Sequence, residues 1–191
     1  MKIITANWFL RLTSLVLLIL EVVVFFYFEN SLVLGLLAIF LGLIGFWQFR
    51  RLPEILTIFL FYLGLYDFYN IRYGLAVPMA IILIGVLGLT VFLYYLLENF
   101  YQFSKILTKD ILRVYLVVLV LIVLEIFLTM SLWPVDPKTK SLVIVIAFYL
   151  LIRLIYLNAH RVLNLKRAFG FVLVSFLILA AVISISWWQG F

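Results

Sequence analysis

Residues 111–133 read ILRVYLVVLVLIVLEIFLTMSLW and decide the class of fold. As an α-helix rising about 1.5 Å per residue, this stretch is long enough to cross a hydrocarbon core about 30 Å thick. Its only charged residues are Arg113 near the start and Glu125 in the interior. It lacks the alternation of polar and apolar residues that is typical of a membrane β-barrel strand. The stretch therefore predicts a transmembrane helix.

Most of the remaining chain repeats this pattern, with short connections between the apolar stretches. The four prolines, at 53, 78, 134 and 137, fall at the starts of stretches or in a turn, where a missing N–H is tolerated best. The sequence thus predicts an all-α, polytopic transmembrane bundle of about seven helices, forming a single integral membrane domain over 1–191. The other six predicted spans are 8–28, 31–49, 54–72, 76–98, 141–161 and 168–188.

The composition excludes several classes of protein. Hydrophobic residues make up 69% of the chain and charged residues 12%, against about 25% charged in soluble domains. There is no cysteine, which excludes disulfides and thiolate metal sites. No basic run is dense enough to indicate a nucleic-acid partner, so the net charge of +6 is interpreted as membrane topology. We expect no cofactor, and we expect the lipid bilayer to surround the chain.

The distribution of lysine and arginine predicts the orientation, because cytoplasmic loops carry the excess of positive residues. With a cytoplasmic N-terminus, only Arg72, Lys138 and Lys140 fall on the opposite side, where the C-terminus also lies. We expect an integral protein of the cytoplasmic, or inner, membrane of a prokaryote. The cytoplasmic side collects Lys2, Arg11, Arg50, Arg51, Lys105, Lys109, Arg113, Arg161, Lys166 and Arg167.

A weak internal repeat is also visible. The stretch 11–21 resembles 113–125, and each is followed by a turn and an apolar span that ends in basic residues. This suggests three helices, one connecting helix and three more, with the two halves parallel. Parallel repeats occur in some transporters, and the layout is similar to that of the SWEET sugar carriers. The chain has no Pro-Gln dipeptide and the opposite predicted orientation, so we do not assign it to that family.

Ionisable residues inside the spans are the main indication of activity. A charge at mid-bilayer costs roughly 2.5–3.5 kcal/mol on insertion scales and is usually directed into the bundle. The depths of these side chains predict one ionic cluster in the outer half of the bundle. One interpretation is structural, with Arg153 paired to Glu125 or Glu21 to set helix register. The other is an ion- or proton-coupled site. The predicted cluster comprises Glu21, Asp67, Glu125 and Arg153.

The sixth span carries a polar stripe. Tyr149, Arg153, Tyr156 and His160 follow at spacings of four, three and four, which places them on one helix face. His160 is the only histidine, and the sequence supplies no partners for a metal site. No catalytic motif is present, so an enzyme is not expected.

Two hypotheses about function follow. The first is a non-enzymatic membrane subunit or scaffold that packs against partner helices, either other membrane proteins or further copies of the chain. The second is a small ion- or proton-coupled transporter or channel that uses Glu21, Asp67, Glu125 and Arg153. We favour the first, because it requires less of the sequence.

Overall fold

The protein was analysed as a computed structural model, which describes residues 2–29, 36, 39, 40, 42, 43, 53–161 and 165–189. Within these ranges the chain is helical and contains no strand. A short 3-10 helix, Phe103–Lys105, follows the third long helix. The long helices are α1 (Lys2–Glu29), α2 (Pro53–Leu75), α3 (Met79–Tyr101), α4 (Lys109–Leu132), α5 (Pro137–Ala159) and α6 (Leu165–Gln189).

Helix α2 lies at the centre of the bundle. It packs against α1, α3 and α5, while α4 packs against α3 and α5, and α6 packs against α5. Of the α2 stretch Glu54–Leu75, 56% is buried, against 22% of α4. Yet α2 is the least hydrophobic of the five candidate membrane spans and α4 the most hydrophobic. Polar groups inside and apolar groups outside are the arrangement that a lipid environment favours.

Three side-chain contacts establish the directions of the helices. At the end of α1, Glu29 accepts hydrogen bonds from Tyr66 of α2 and Lys138 of α5. At the end of α2, Tyr73 donates to the carbonyl of Ser131 near the end of α4. Helices α1, α2 and α4 therefore end where α5 begins, which we name the Glu29 end. The opposite end, where α2 begins at Pro53, is the Glu54 end.

Helices α1 and α2 consequently run in the same direction. The chain between Glu29 and Pro53 thus connects opposite ends of the bundle. Five residues of this connection are described, and all are helical: 36, 39, 40, 42 and 43. Gly42 is buried against α1, where a Cβ would lie 2.9 Å from a methyl carbon of Leu18. Small residues permit this close approach of helices in lipid.

A small second hydrophobic core around Phe103, which we name the Phe103 core, lies at the Glu54 end. After α3, Gln102 adopts a left-handed conformation with φ of 54°, and its N–H bonds to the carbonyl of Glu98. This turn directs Phe103 into a small core with Leu112 and Ile155, where its side chain is fully buried. The Phe103 core therefore holds the loop after α3 in contact with both α4 and α5.

Five predicted spans correspond to helices long and apolar enough to cross a membrane, by their length and composition: α1 to α5. The predicted helical bundle is thereby confirmed. The second predicted span, 31–49, lies outside the described residues apart from the five helical positions. The seventh, 168–188, falls within α6, where the described apolar run is Phe169–Ile178. The count of seven, the orientation and the repeat stay predictions.

Candidate functional site

Two acidic side chains are buried together between α1 and α2. Glu21 of α1 is 6% exposed and Asp67 of α2 is 4% exposed. Their carboxyl groups are near enough to interact electrostatically. Glu21 Oε2 and both carboxyl oxygens of Asp67 find no hydrogen-bond donor among the described residues. Because buried polar groups are nearly always hydrogen-bonded, three acceptors without donors mark this interface as unusual.

The carboxyl group of Glu21 packs against Gly64 of α2. A Cβ built on Gly64 would lie 2.7 Å from Glu21 Oε1 and 2.5 Å from a methyl carbon of Leu89. Asp67 follows Gly64 by three positions and therefore shares its helix face. The face of α2 that carries Gly64 and Asp67 thus receives Glu21 from α1.

Arg153 lies away from Glu21 and Asp67, beside Glu54. Its Nη1 atom is 3.5 Å from Glu54 Oε1, and the two side chains are 30% and 28% exposed. Glu54 precedes Asp67 by thirteen positions on α2, on the order of 20 Å along the helix axis. The pairing of Arg153 with Glu21 or Glu125 that the sequence suggested is not formed. The long side chain of Arg153 extends instead toward the nearer end of the bundle, as such stems do in membranes.

Glu125 is not part of a buried cluster either. It is exposed on the outer face of α4, where its backbone carbonyl accepts a 2.8 Å hydrogen bond from Thr129 Oγ1. The structure therefore brings Glu21 and Asp67 together and separates Arg153 and Glu125 from them.

Glu125 belongs to a row of exposed side chains that we name the α4 seam. Its members follow one another at alternating spacings of three and four residues, which is the heptad pattern of helix–helix packing. Apart from Glu125, every member is a large aliphatic residue, and each is exposed. The α4 seam consists of Ile111, Val114, Val118, Leu121, Glu125, Leu128 and Leu132.

The polar stripe of the sixth predicted span lies on α5. The Arg153 guanidinium lies 4.9 Å from the centroid of the Tyr156 ring, and that ring is 4.3 Å from the His160 ring. Tyr149 is half-buried one turn before Arg153. Tyr101 also packs on Tyr156, with ring centroids 4.7 Å apart. Arg153, Tyr156 and His160 thus pack one against the next, and Tyr101 joins Tyr156 to Phe103.

Sequence reasoning missed a buried lysine at the Glu29 end. Lys140 is 4% exposed, and its Nζ donates to Tyr73 Oη at 3.0 Å. The ammonium group also lies 4.8 Å from the Tyr73 ring centroid and 5.4 Å from that of Tyr69. Aromatic faces and a phenolic oxygen therefore compensate for its lost hydration. The neighbouring Lys138 is exposed and pairs with Glu29.

A signal for these contacts exists in the sequence. Four tyrosines of α2 recur at spacings of four, three and four, and therefore occupy one helix face. Such a stripe on the least hydrophobic span could have indicated that α2 is central and that its tyrosines bind neighbouring helices. The four are Tyr62, Tyr66, Tyr69 and Tyr73.

Within the described residues, no three histidine, aspartate or glutamate side chains are grouped so that they could hold a metal ion. No protein-family model, curated protein or solved structure matches the chain. The buried pair of Glu21 and Asp67 and the exposed α4 seam are therefore the features that bear on function.

Proposed function

We propose that this integral membrane protein is a non-enzymatic subunit or scaffold that binds partner transmembrane helices. The observation that carries the proposal is the α4 seam, a heptad row of aliphatic side chains that the bundle leaves open. Heptad spacing of large aliphatic residues is what one helix presents to another in left-handed packing, with a crossing angle near +20°. The one polar residue in this row, Glu125, distinguishes it from a face that meets only lipid.

The position of Glu125 supports this proposal. A carboxyl group facing the hydrocarbon core is expensive, at roughly 2.5–3.5 kcal/mol on insertion scales. A partner helix on the α4 seam removes Glu125 from lipid and supplies polar contacts. One polar residue in an otherwise apolar heptad row also specifies register and partner, as it does in coiled coils.

Photo-crosslinking in native membranes tests the proposal. A photoreactive amino acid at Leu121, in the middle of the α4 seam, is expected to give adducts of protein mass. The matched control is Ile84 of α3, which is 69% exposed against 60% for Leu121 and lies outside the seam. We expect Ile84 to give lipid adducts. Lipid adducts alone from both positions would contradict the proposal.

A second candidate function is favoured by Glu21 and Asp67. Buried acidic residues within a membrane bundle are typical of proton and cation pathways. Three carboxyl oxygens without described donors provide acceptors for a proton or a small cation. In this alternative the protein is a small ion- or proton-coupled transporter or channel, with the function centred on two of the four residues of the predicted cluster.

Flux measurements separate the two candidates. The purified chain in sealed vesicles, loaded with a pH-sensitive dye, is exposed to a proton gradient. A transporter requires dissipation of the gradient that Asp67→Asn or Glu21→Gln abolishes and that Glu125→Gln leaves intact. Gradients equally stable in protein-containing and protein-free vesicles would exclude proton transport under these conditions.

A further inference from the structure

We infer that the helix bound at the α4 seam carries a lysine or arginine that faces Glu125. This inference rests on the proposed function and adds the chemistry of the partner. Three points support it. Glu125 lies deep within α4, and it takes part in none of the ion pairs of the described residues. A symmetric second copy of the chain would place Glu125 against its own equivalent.

Glu125 lies within the apolar length of α4 and not at either end of the helix. Glu125 lies seven residues before the end of α4 at Leu132 and sixteen after its start at Lys109. These separations correspond to on the order of 10 Å and 24 Å along the helix. A glutamate side chain is too short to span either distance. An ionised carboxylate at this depth would be stabilised by a basic group that lies beside it.

The described part of the chain does not supply that group. Its three ion pairs join Arg113 to Asp110, Lys138 to Glu29, and Arg153 to Glu54, so Glu125 takes part in none. The Thr129 hydroxyl is one turn away but is engaged with the Glu125 backbone carbonyl. A basic residue on a partner helix would supply this complement.

A second copy of the chain fits the α4 seam poorly. Two parallel copies related by a twofold axis would pack α4 on α4, with each residue opposite its own equivalent. Glu125 would then meet Glu125, and two facing carboxylates repel each other unless they share a proton. The flanking aliphatic residues would match, but the one polar position would not. Charge complementarity therefore favours a different helix bearing a basic residue.

A pair of synthetic transmembrane peptides provides the test. The first is a leucine helix with a single lysine at its centre, whose flexible stem reaches several ångströms toward either face. The second has leucine at that position. Binding to the full chain in phosphatidylcholine vesicles is measured by energy transfer between a donor on the chain and an acceptor on the peptide. A scrambled apolar helix without heptad spacing sets the background.

We expect the lysine peptide to bind about fivefold more tightly than the leucine peptide, corresponding to about 1 kcal/mol. Glu125→Gln should abolish this preference. Thr129→Val, a change on the same exposed face without loss of charge, should preserve it. Glu125 is exposed, so neither substitution disturbs the interior of the bundle.

Three other results would overturn the inference, and they differ in what they imply for the proposed function. Equal binding of both peptides above background would contradict the basic partner while leaving the α4 seam as a docking surface. No binding above background would contradict both. Energy transfer between two labelled copies of the chain that exceeds transfer to either peptide, and that Leu121→Trp abolishes, would identify the partner as a second copy.

Discussion

The carboxyl group of Glu21 in α1 rests on Gly64 of α2, so that a Cβ at Gly64 would lie only 2.7 Å from Glu21 Oε1. The missing side chain at this position lets α1 approach the central helix and accommodates an acidic group inside the bundle. Asp67 follows one turn later, and it also lacks a described donor. Acidic groups are thus held where α1 and α2 approach each other closely.

Gly64→Ala should destabilise the protein. The added methyl group meets Glu21 on one side and Leu89 on the other, and both neighbours are buried. Overpacking of this kind costs about 1–3 kcal/mol. Thermal unfolding in detergent micelles measures the loss. Gly88→Ala is the matched control, because a Cβ there meets nothing within 4 Å. It should leave the unfolding midpoint unchanged or raise it slightly, since alanine favours helix. Equal effects of the two substitutions would contradict the close contact at Gly64.

A double-mutant cycle should find Arg153 coupled to Glu54. The two side chains are partly exposed at a helix end, so we expect a coupling energy of about 0.5–1 kcal/mol between Arg153→Gln and Glu54→Gln. Arg153→Gln alone should cost more than Glu54→Gln, because it also loses the stacking on Tyr156.

The control cycle combines Arg153→Gln with Glu125→Gln. These two residues lie on different helices without a described contact, so their effects on stability should add. Coupling in the control cycle and additivity in the Glu54 cycle would restore the pairing that the sequence suggested.

Tyr73→Phe should destabilise the Glu29 end. The phenolic oxygen accepts from buried Lys140 and donates to the carbonyl of Ser131. Its removal leaves a buried ammonium group short of an acceptor, which costs about 1–3 kcal/mol. Tyr27→Phe is the control, because Tyr27 is largely exposed on α1. Thermal unfolding that responds equally to both changes would argue against a buried Lys140.

Cysteine labelling should place the Glu54 end in the cytoplasm. The chain has no cysteine, so single cysteines can be introduced without a background. Ser104→Cys lies at the Glu54 end and Thr139→Cys at the Glu29 end. An impermeant maleimide added to intact cells should label only Thr139→Cys, because positive loops remain inside. Labelling of Ser104→Cys alone would reverse the orientation.

The helices could be predicted from the sequence because their determinants are local. Length, apolar composition and proline placement limit each span, and the helix starts near Pro53 and Pro137 lie close to the predicted boundaries. The burial of Asp67 was also predictable, since a carboxylate on the least hydrophobic span is poorly suited to face lipid.

The partners of the charged residues could not be predicted in the same way. The direction of the Arg153 side chain depends on which helix end lies nearest, and that is set by packing between α2 and α5. Glu125 was placed inside because a charge in an apolar span usually faces the interior. Helix α4 is hydrophobic on all sides, so its hydrophobicity does not distinguish inside from outside. The heptad spacing through Glu125 was visible, but its meaning required the exposure of the whole row.

Native mass spectrometry of particles extracted from native membranes with their surrounding lipid tests the central claim most directly. The chain alone has a mass of 22.3 kDa. The account predicts a discrete species in which this mass is increased by that of a different protein. Leu121→Trp in the α4 seam should release that protein, whereas Ile84→Trp, at an exposed position of α3 outside the seam, should retain it. A species of 22.3 kDa alone, with or without the substitutions, would contradict the claim that the α4 seam holds a partner helix.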